Sequence, residues 1–229
     1  MSQPSRRPDD LLSRSISPDE LPDPRASLEL LSMAQGGDRQ ALEELVDRYQ
    51  GRLRRIVRIQ LGGSVVRRHF DSMDIVQETF RAALPRLSEL RPRSAASLLQ
   101  WLAIIATNRI CDAHDYVRAG KRDVGRETPL DRGGSAGASA SGGRSGPPAD
   151  MRSPSEEAAL AEVRELLDDE VARLSEDQRR VVLLRDYCGE GWEHIAAELN
   201  RENGAARELH QRAWIRLRKA LRPKLEGWS

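Results

Sequence analysis

The sequence predicts an all-α protein of two small helical domains joined by a flexible Gly/Ser linker. Aromatic residues make up only 4% of the 229 residues, whereas charged residues make up 32%, which is typical of small helical cores with wide solvated faces. Apolar residues recur at intervals of three and four, the spacing of one face of an α-helix. A Gly/Ser-rich stretch separates two such blocks, and we therefore expect two domains.

Changes in composition mark the domain boundaries. Residues 1–27 hold five prolines among scattered charges, which predicts a disordered N-terminal arm. Between residues 131 and 149, 16 of 19 residues are Gly, Ser, Ala or Pro, the composition of a flexible linker. The predicted organisation is an arm over 1–27, a domain over 28–122, a linker over 123–153 and a second domain over 154–226.

Three helices are predicted in the first domain. A long apolar stripe over 42–61 ends at the Gly62-Gly63 pair, a typical helix terminator. The next helix is short, because Asp71 or Ser72 can cap it and Pro85 stops it. After a predicted loop over 85–93, the third helix is expected from about residue 94 to about 118.

Four helices are predicted in the second domain. An apolar stripe over 160–174 forms the first. The sequence Ser-Glu-Asp-Gln at 175–178 is a capping-box pattern that opens the second, and Gly189 is its predicted end. A short helix over 192–199, a tight connection at 200–202 and a longer helix over 203–221 complete the domain.

A short helix, a three-residue turn and a longer helix form the helix-turn-helix layout. The segment 201–224 holds eight basic and two acidic residues, whereas 154–190 holds eleven acidic and five basic residues. The net charge of +1 conceals this polarity. The basic side is the electrostatic footprint of a nucleic-acid binder. Cations late in the last helix also complement its macrodipole, but Arg201 and Arg207 lie at its start, where the dipole disfavours cations.

Three segments together resemble the extracytoplasmic-function (ECF) branch of the primary-sigma family of bacterial RNA polymerase sigma factors. Residues 174–221 resemble region 4 of that family. FDSMDIVQETF, at 70–80, resembles its polymerase-binding helix in region 2, and 97–123 resembles the promoter-melting end of region 2. The match runs over roughly 28–122 and 155–222, with the linker between them. The resemblance implies an alternative sigma factor that binds core RNA polymerase and directs promoter recognition and transcription initiation.

The resemblance implies that Asp74, Gln77 and Glu78 face the clamp helices of the polymerase β′ subunit, and that region 4 meets the β flap. Asp74 and Glu78 are four residues apart and therefore share one helix face. Two carboxylates and an amide suit an Arg-rich partner. Compensation of the helix dipole is the alternative explanation for Asp74, but it does not explain Glu78.

The resemblance also implies that the loop over 85–93 and the following helix open the −10 promoter element. Basic side chains suit a separated DNA strand, and Trp101 either stacks on a base or belongs to the core. Asn108 and Arg109 have apolar neighbours, so they either contact DNA or lie at the edge of the core. The candidate residues are Arg91, Arg93, Asn108, Arg109, Arg118, Lys121 and Arg122, with Arg126 beyond them.

The last helix corresponds to the family's recognition helix for the −35 element. Arg pairs bidentately with guanine and Gln with adenine, and the backbone amides at a helix start bind phosphate. The turn departs from the commoner family pattern, since Asn200 stands where Gly is frequent; Asn nevertheless tolerates left-handed geometry. The candidate residues are Arg201, Asn203, Arg207, Glu208, Gln211 and Arg212.

The sequence offers little support for an enzyme. A metal-dependent hydrolase is suggested only by the His114-Asp115 dipeptide, and further ligands are missing from the sequence around it. The two cysteines lack metal-ligand spacing. We therefore expect no catalytic residue, no cofactor and no metal. With no run of 18 apolar residues and no secretory signal, we expect a cytoplasmic protein without a membrane span.

Two non-enzymatic alternatives remain open at this point. A free-standing helix-turn-helix regulator explains the second domain but not the 70–80 helix. An adaptor that has lost DNA binding is compatible with the unusual turn at 200–203. An anti-sigma protein is a possible further partner that the resemblance implies.

Overall fold

The computed structural model describes residues 23–62, 70–91, 94–124 and 154–225. Within these ranges the regular structure is helical, with no strand, which confirms the all-α prediction. The α-helices are α1 (Pro24–Gln35), α2 (Arg39–Leu61), α3 (Ser72–Ala83), α4 (Ala95–Val124), α5 (Pro154–Ala172), α6 (Glu176–Val182), α7 (Trp192–Glu198) and α8 (Asn203–Leu225). A 3-10 helix (Leu84–Glu89) follows α3, and a π-helical segment (Leu183–Cys188) follows α6.

The first helix corrects the boundary of the predicted arm. Asp23 caps α1, and its carboxylate accepts a hydrogen bond from the Arg25 backbone N–H at 2.9 Å. Residues 24–27 therefore belong to the fold, and the Ser27 side chain is fully buried. Prolines in the first turn of a helix are tolerated, because no backbone donor is lost there. Residues 1–22, which make up the rest of the predicted arm, lie outside the described residues.

The first domain packs α1, α3 and α4 around the long helix α2. Its stripe is buried as predicted, with Leu53, Ile56 and Val57 fully inaccessible. The helix ends at Gly62, whose positive φ of 48° favours glycine. Asp71 is the N-cap of α3, one of the two predicted caps.

Two predictions about the connection after α3 need correction. The first residues of the expected loop over 85–93 form the 3-10 helix instead. It is held by the Gln35 amide, whose Nε2 donates to the carbonyls of Leu87 and Leu90 at 2.8 Å each. Helix α4 runs to Val124, beyond the predicted end near 118 and past Gly120. A single glycine inside a helix costs only about 1 kcal/mol, so a long helix accommodates it.

The second domain contains the predicted helix-turn-helix, α7 and α8. Asn200 has a φ of 50°, so it takes the left-handed conformation that the turn was expected to need. Ser175 is the N-cap of α6 as predicted, but its side chain makes no capping hydrogen bond, and the expected capping box is wrong in that respect. Helix α8 continues four residues beyond the predicted end because Leu225 is buried.

The two domains are in contact. Helix α2 packs against α5, and α4 packs against the π-helical segment. Buried residues from both domains, such as Ile56 and Leu184, belong to one hydrophobic cluster. The linker predicted over 123–153 is described only as far as residue 124, so its flexibility stays a prediction.

Candidate protein and nucleic-acid interfaces

Helix α3 presents the three predicted polymerase-binding residues on one exposed face. Asp74, Gln77 and Glu78 are all exposed, whereas Ile75 and Val76 on the opposite face are buried in the first domain. The arrangement follows from the amphipathic spacing of the helix. The structure therefore brings two carboxylates and an amide together where a partner can reach them.

Local contacts give Asp74 a second, structural role. Its carboxylate accepts a hydrogen bond from the Asp71 backbone N–H at 3.1 Å and completes a capping box. Glu78 instead pairs with Arg81 one turn later, on an exposed surface. A charge pair of this kind is worth little in water, so Glu78 can exchange its partner readily. Asp74 supports the helix start as well as carrying charge.

The candidate −10 residues are spread over two segments. Arg91 is exposed, and its Nη1 atom donates to the carbonyl oxygens of Ser88 and Leu90 at 2.8 and 2.9 Å. Arg93 and Arg126 lie outside the described residues. Arg118, Lys121 and Arg122 lie on the last turns of α4, where the structure describes only the backbone.

Asn108 and Arg109 differ in their surroundings. Asn108 is exposed and lines a cavity of about 560 Å³ between the two domains. Arg109 is half-buried and pairs with Asp112 at 3.1 Å. Trp101 is partly buried against the hydrophobic core, which agrees with the core interpretation.

Helix α8 presents a polar face of the predicted composition. Arg207, Glu208, Gln211 and Arg212 are exposed, whereas Leu209 is buried on the opposite side. Asn203, the first residue of the helix, is also exposed. Side chains of these types contact base edges and phosphates in protein–DNA complexes.

Arg201 has a partner within the protein. Its Nη2 atom lies 2.5 Å from Oδ2 of Asp177, near the start of α6. This ion pair ties the turn before α8 to another helix of the same domain. Arg201 therefore contributes to the geometry of the turn, in addition to any contact with DNA.

An aromatic cluster behind the recognition face was not predicted. The guanidinium groups of Arg185 and Arg207 lie 5.0 and 5.3 Å from the centre of the Trp192 ring. His210 meets the same ring edge-on at 5.4 Å. Its Nε2 atom lies 2.8 Å from Oδ2 of Asp186. The only signal in the sequence was the pairing of Trp192 with Arg207, one at the start of each helix of the motif.

The described part of the chain was also searched for groups of metal-ligating side chains and for membrane-spanning helices. No group of three or more His, Cys, Asp or Glu side chains is placed to hold a metal ion there. His114 is half-buried beside the exposed Asp115. No helix among the described residues is long and apolar enough to cross a membrane.

Together, the exposed acidic helix of one domain and the basic helix-turn-helix of the other define a two-domain, DNA-binding regulator. Family models of sigma-70 region 2 and sigma-70 region 4 match residues 45–122 and 164–217, more than half of the chain. The chain belongs to the sigma-70 family, in its ECF branch. It is an alternative sigma factor whose domains bind core RNA polymerase and promoter DNA and direct transcription initiation. Sigma factors are regulators rather than enzymes.

Several solved structures resemble the chain at low identity. CnrH, in complex with the cytosolic domain of CnrY, is 22% identical, covers 86% of this chain and 98% of its own, and has a TM-score of 0.47. RpoE of Bartonella quintana, in complex with the anti-sigma factor NepR, is 20% identical. The match covers 79% of this chain and 96% of RpoE, with a TM-score of 0.45. A chain of the RsbN–BldN complex is 22% identical, and the match covers 82% of this chain and 97% of that one, with a TM-score of 0.29. No curated protein sequence matches the chain.

Proposed function

We propose that the exposed face of α3 binds the β′ clamp helices, that the end of α4 holds the separated −10 strand, and that α8 reads the −35 element. The observation that carries this assignment is the separation of faces on α3. Its apolar residues are buried, and its exposed polar set is Asp74, Gln77 and Glu78. Carboxylates on a rigid helix suit guanidinium groups of a partner, which bind them bidentately.

Promoter recognition is assigned to α8 on the same kind of observation. Its exposed face carries Arg207 and Gln211 one turn apart, with Glu208 and Arg212 beside them. The Arg207 and Gln211 side chains carry the donors that guanine and adenine edges accept in the major groove, and Arg212 suits a phosphate. Asn203 at the helix start presents backbone amides to a phosphate. Residues of the second domain would also meet the β flap.

Strand opening is assigned to α4 and the segment before it. Arg91 and Asn108 are exposed, and Arg118, Lys121 and Arg122 follow along the same helix. Opening a duplex requires capture of unstacked bases and a cationic path for the strand. The polymerase supplies the chemistry, so the proposal needs no catalytic residue, cofactor or metal in this chain. The expected site of action is the cytoplasm, and an anti-sigma protein remains a predicted partner.

Gel filtration with core RNA polymerase tests the proposal. The full chain should co-elute with the core enzyme. The double variant Gln77→Ala/Glu78→Ala should abolish co-elution. It removes two polar side chains from the exposed face of α3 and leaves the capping box of Asp71 and Asp74 intact. Asp74→Asn keeps an acceptor for the Asp71 N–H and removes only the charge, so it separates binding from helix stability.

Helix α2 offers a matched control for these variants. Glu44→Ala removes an exposed carboxylate that pairs with Arg48 on its own helix, and it should leave co-elution unchanged. A folded wild-type chain that does not co-elute would favour the free-standing regulator or the adaptor. Binding to duplex DNA would then separate those two alternatives.

A further inference from the structure

A polar cluster lies beneath the polar face of α8, around the carboxylate of Asp186 in the π-helical segment. Oδ2 of Asp186 lies 2.8 Å from Nε2 of His210 and accepts a hydrogen bond from Nε1 of Trp214 at 3.0 Å. The His210 and Asp186 side chains are only 19% and 15% exposed. Two rings of α8 are therefore fastened to one oxygen atom of a neighbouring segment.

This geometry defines which nitrogen of His210 carries a hydrogen. A carboxylate only accepts hydrogen bonds, and an indole N–H only donates them. A bare Nε2 would turn its lone pair towards the carboxylate, so Nε2 carries the hydrogen and donates it to Asp186, although Nε1 of Trp214 also lies 3.1 Å away. A further proton therefore binds at Nδ1, and the contact with Asp186 is the same in the neutral and the charged ring.

The His210 ring also contacts Trp192 of α7. The two rings meet edge to face with their centres 5.4 Å apart, and the same indole has the guanidinium groups of Arg185 and Arg207 at 5.0 and 5.3 Å. Arg207 and His210 are three residues apart, so they share one side of α8. His210 thus connects the Asp186 carboxylate to the ring against which Arg207 packs.

Asp186 opposes the cations that surround this cluster. The two indoles that His210 touches, Trp192 and Trp214, have guanidinium groups 5.0–5.9 Å from their centres, and these belong to Arg185, Arg207 and Arg218. While His210 is neutral, the Asp186 charge repels an approaching phosphate. An imidazolium cancels that charge and leaves the guanidinium groups to attract DNA.

Other titratable and charged groups on the elements around α8 are engaged in different contacts or exposed. The engaged groups are Asp177 with Arg201 and Arg180 with Glu198 for α6, Glu170 with Lys224 for α5, His194 with Gln100 for α7, and Tyr187 with Asp168 for the π-helical segment. Glu193, next to Trp192 in the sequence, is exposed, so water screens its charge. In the cluster itself, histidine is the type of side chain that ordinarily changes charge near neutral pH.

We propose that His210 is a positioning residue for the −35 contact: it holds the Trp192 ring against which Arg207 packs, and its protonation strengthens binding to DNA. The inference rests on the proposed function, which assigns the −35 element to α8. By linkage, a proton that strengthens DNA binding is itself bound more tightly in the complex. DNA binding therefore takes up protons, and the affinity rises as pH falls through the range in which histidine titrates.

Fluorescence anisotropy with a labelled −35 duplex, selected from random sequence with the starting chain, tests the proposal on the full chain at constant ionic strength. The starting chain should bind about two- to fivefold more tightly at pH 6 than at pH 8, the effect of one added unit charge near a phosphate but not touching it. His210→Gln keeps a donor for Asp186 but does not titrate. Its affinity should stay close to that of the starting chain at pH 8 and should not change with pH.

Coupling to Arg207 tests the positioning role. His210→Leu removes the hydrogen bond to Asp186 and the aromatic edge, and it should weaken binding at both pH values. In an Arg207→Ala chain the same change should have a smaller effect, because the side chain that His210 positions is gone. His194→Gln is the matched control, since it removes an exposed imidazole from α7 of the same helix-turn-helix, and it should leave the pH dependence unchanged.

Equal pH dependence in the starting chain and in a His210→Gln chain that circular dichroism shows to be folded would overturn the proposal, as would purely additive losses in the His210→Leu/Arg207→Ala chain. If no chain prefers the selected duplex to random DNA, the assignment of the −35 element to α8 is rejected instead. Tryptophan fluorescence of the free chain separates the two failures, because a protonated histidine quenches a neighbouring indole. Between pH 8 and pH 6 the starting chain should lose intensity that His210→Gln retains, and equal losses would reject the ring contact itself.

Discussion

Trp192 shows how a single side chain can prepare the proposed DNA-binding face. Its ring has guanidinium groups from Arg185 and Arg207 at 5.0 and 5.3 Å and the edge of His210 at 5.4 Å. A cation near an aromatic face at a partly exposed site gains about 0.5–1 kcal/mol. Arg207 is therefore held close to one orientation, which reduces the entropy that it loses when it contacts a base or phosphate.

We expect Trp192→Leu to weaken binding to a selected −35 duplex about two- to fivefold, which corresponds to the stabilisation of Arg207 that is lost. Arg207→Ala should cost more. In the double variant, the effect of Trp192→Leu on DNA binding should disappear, because the Arg207 side chain through which it acts is already gone. Equilibrium titrations of the four chains measure this coupling. Losses that simply add would show that Trp192 acts through the fold alone.

The two cysteines are expected to differ sharply in reactivity. Cys111 is exposed and Cys188 is buried. Burial, with a contribution from Glu190, raises the pKa of Cys188 to about 12, and only the thiolate reacts. Iodoacetamide at pH 8 should therefore add one carbamidomethyl group to the native chain and two to the urea-unfolded chain, as mass spectrometry can count. Two groups on the native chain would contradict the burial of Cys188.

At the scale of elements, α5 and α8 are fastened by a charged contact near their ends. The Glu170 carboxylate accepts a hydrogen bond from Nζ of Lys224 at 2.7 Å and also pairs with Arg173. Burial favours the protonated acid, but the hydrogen bond and charge of Lys224, with those of Arg173, lower the pKa of Glu170 overall. The lowered pKa means that the folded state prefers the ionised carboxylate, so this contact stabilises the fold above the ordinary pKa near 4.5.

Glu170→Gln should therefore reduce the free energy of unfolding by about 1 kcal/mol at pH 7, which is less than a fully buried charged hydrogen bond contributes because the Lys224 side chain is 37% exposed and screened by water. The difference from the starting chain should shrink as pH falls below 4.5 and through the lower pKa of the folded state. Urea titrations at several pH values measure it. A difference that is independent of pH would mean that Glu170 contributes by packing rather than by charge.

Elements with local causes were predictable from the sequence. Gly62 and Gly189 end helices with positive φ, and the cap at Asp71 is where the pattern placed it. Features that depend on residues distant in the sequence could not be predicted from it. The 3-10 helix after α3 is held by Gln35, 52 residues from Leu87. Arg55 and Asp168 are separated by 113 residues, and only the acidic excess of 154–190 hinted that a basic partner was needed.

The candidate interfaces also have a part that was predictable from the sequence and a part that was not. The exposed faces of α3 and α8 follow from helical periodicity alone, so the structure places Glu78 and Gln211 on the surface as the sequence predicted. Periodicity says nothing about which other domain lies opposite a surface residue. The position of Asn108 beside the second domain and the ion pair of Arg201 therefore came only from the structure.

At the scale of the whole molecule, charge is distributed so that each domain has a distinct partner surface. The segment 201–224 is strongly basic, whereas 154–190 is acidic and pairs through Glu165 and Asp168 with Arg58 and Arg55 of α2. The acidic half therefore makes contacts within the chain, and the basic half is the part that we propose binds DNA. Neutralised phosphates release counterions, and binding to DNA becomes strongly dependent on salt.

Arg212→Ala should lower the affinity for selected and random duplexes alike and reduce the slope of log K against log salt by about 0.9, the value for one phosphate contact. Binding isotherms from low to physiological salt provide the slope. Asp186 lies behind the recognition face, so a Glu202→Gln change at the exposed turn is the better control and should leave the slope unchanged. An unaltered slope in Arg212→Ala would remove that residue from the DNA contacts.

Transcription in vitro from fragmented genomic DNA tests whether the chain directs initiation at promoters. Core RNA polymerase is supplied with the starting chain, with the Gln77→Ala/Glu78→Ala chain, or with no addition, and transcript start sites are mapped. We expect a set of defined start sites, preceded by shared −10 and −35 sequences, that appears only with the starting chain. A folded chain that gives no start sites beyond those of core polymerase alone would contradict it.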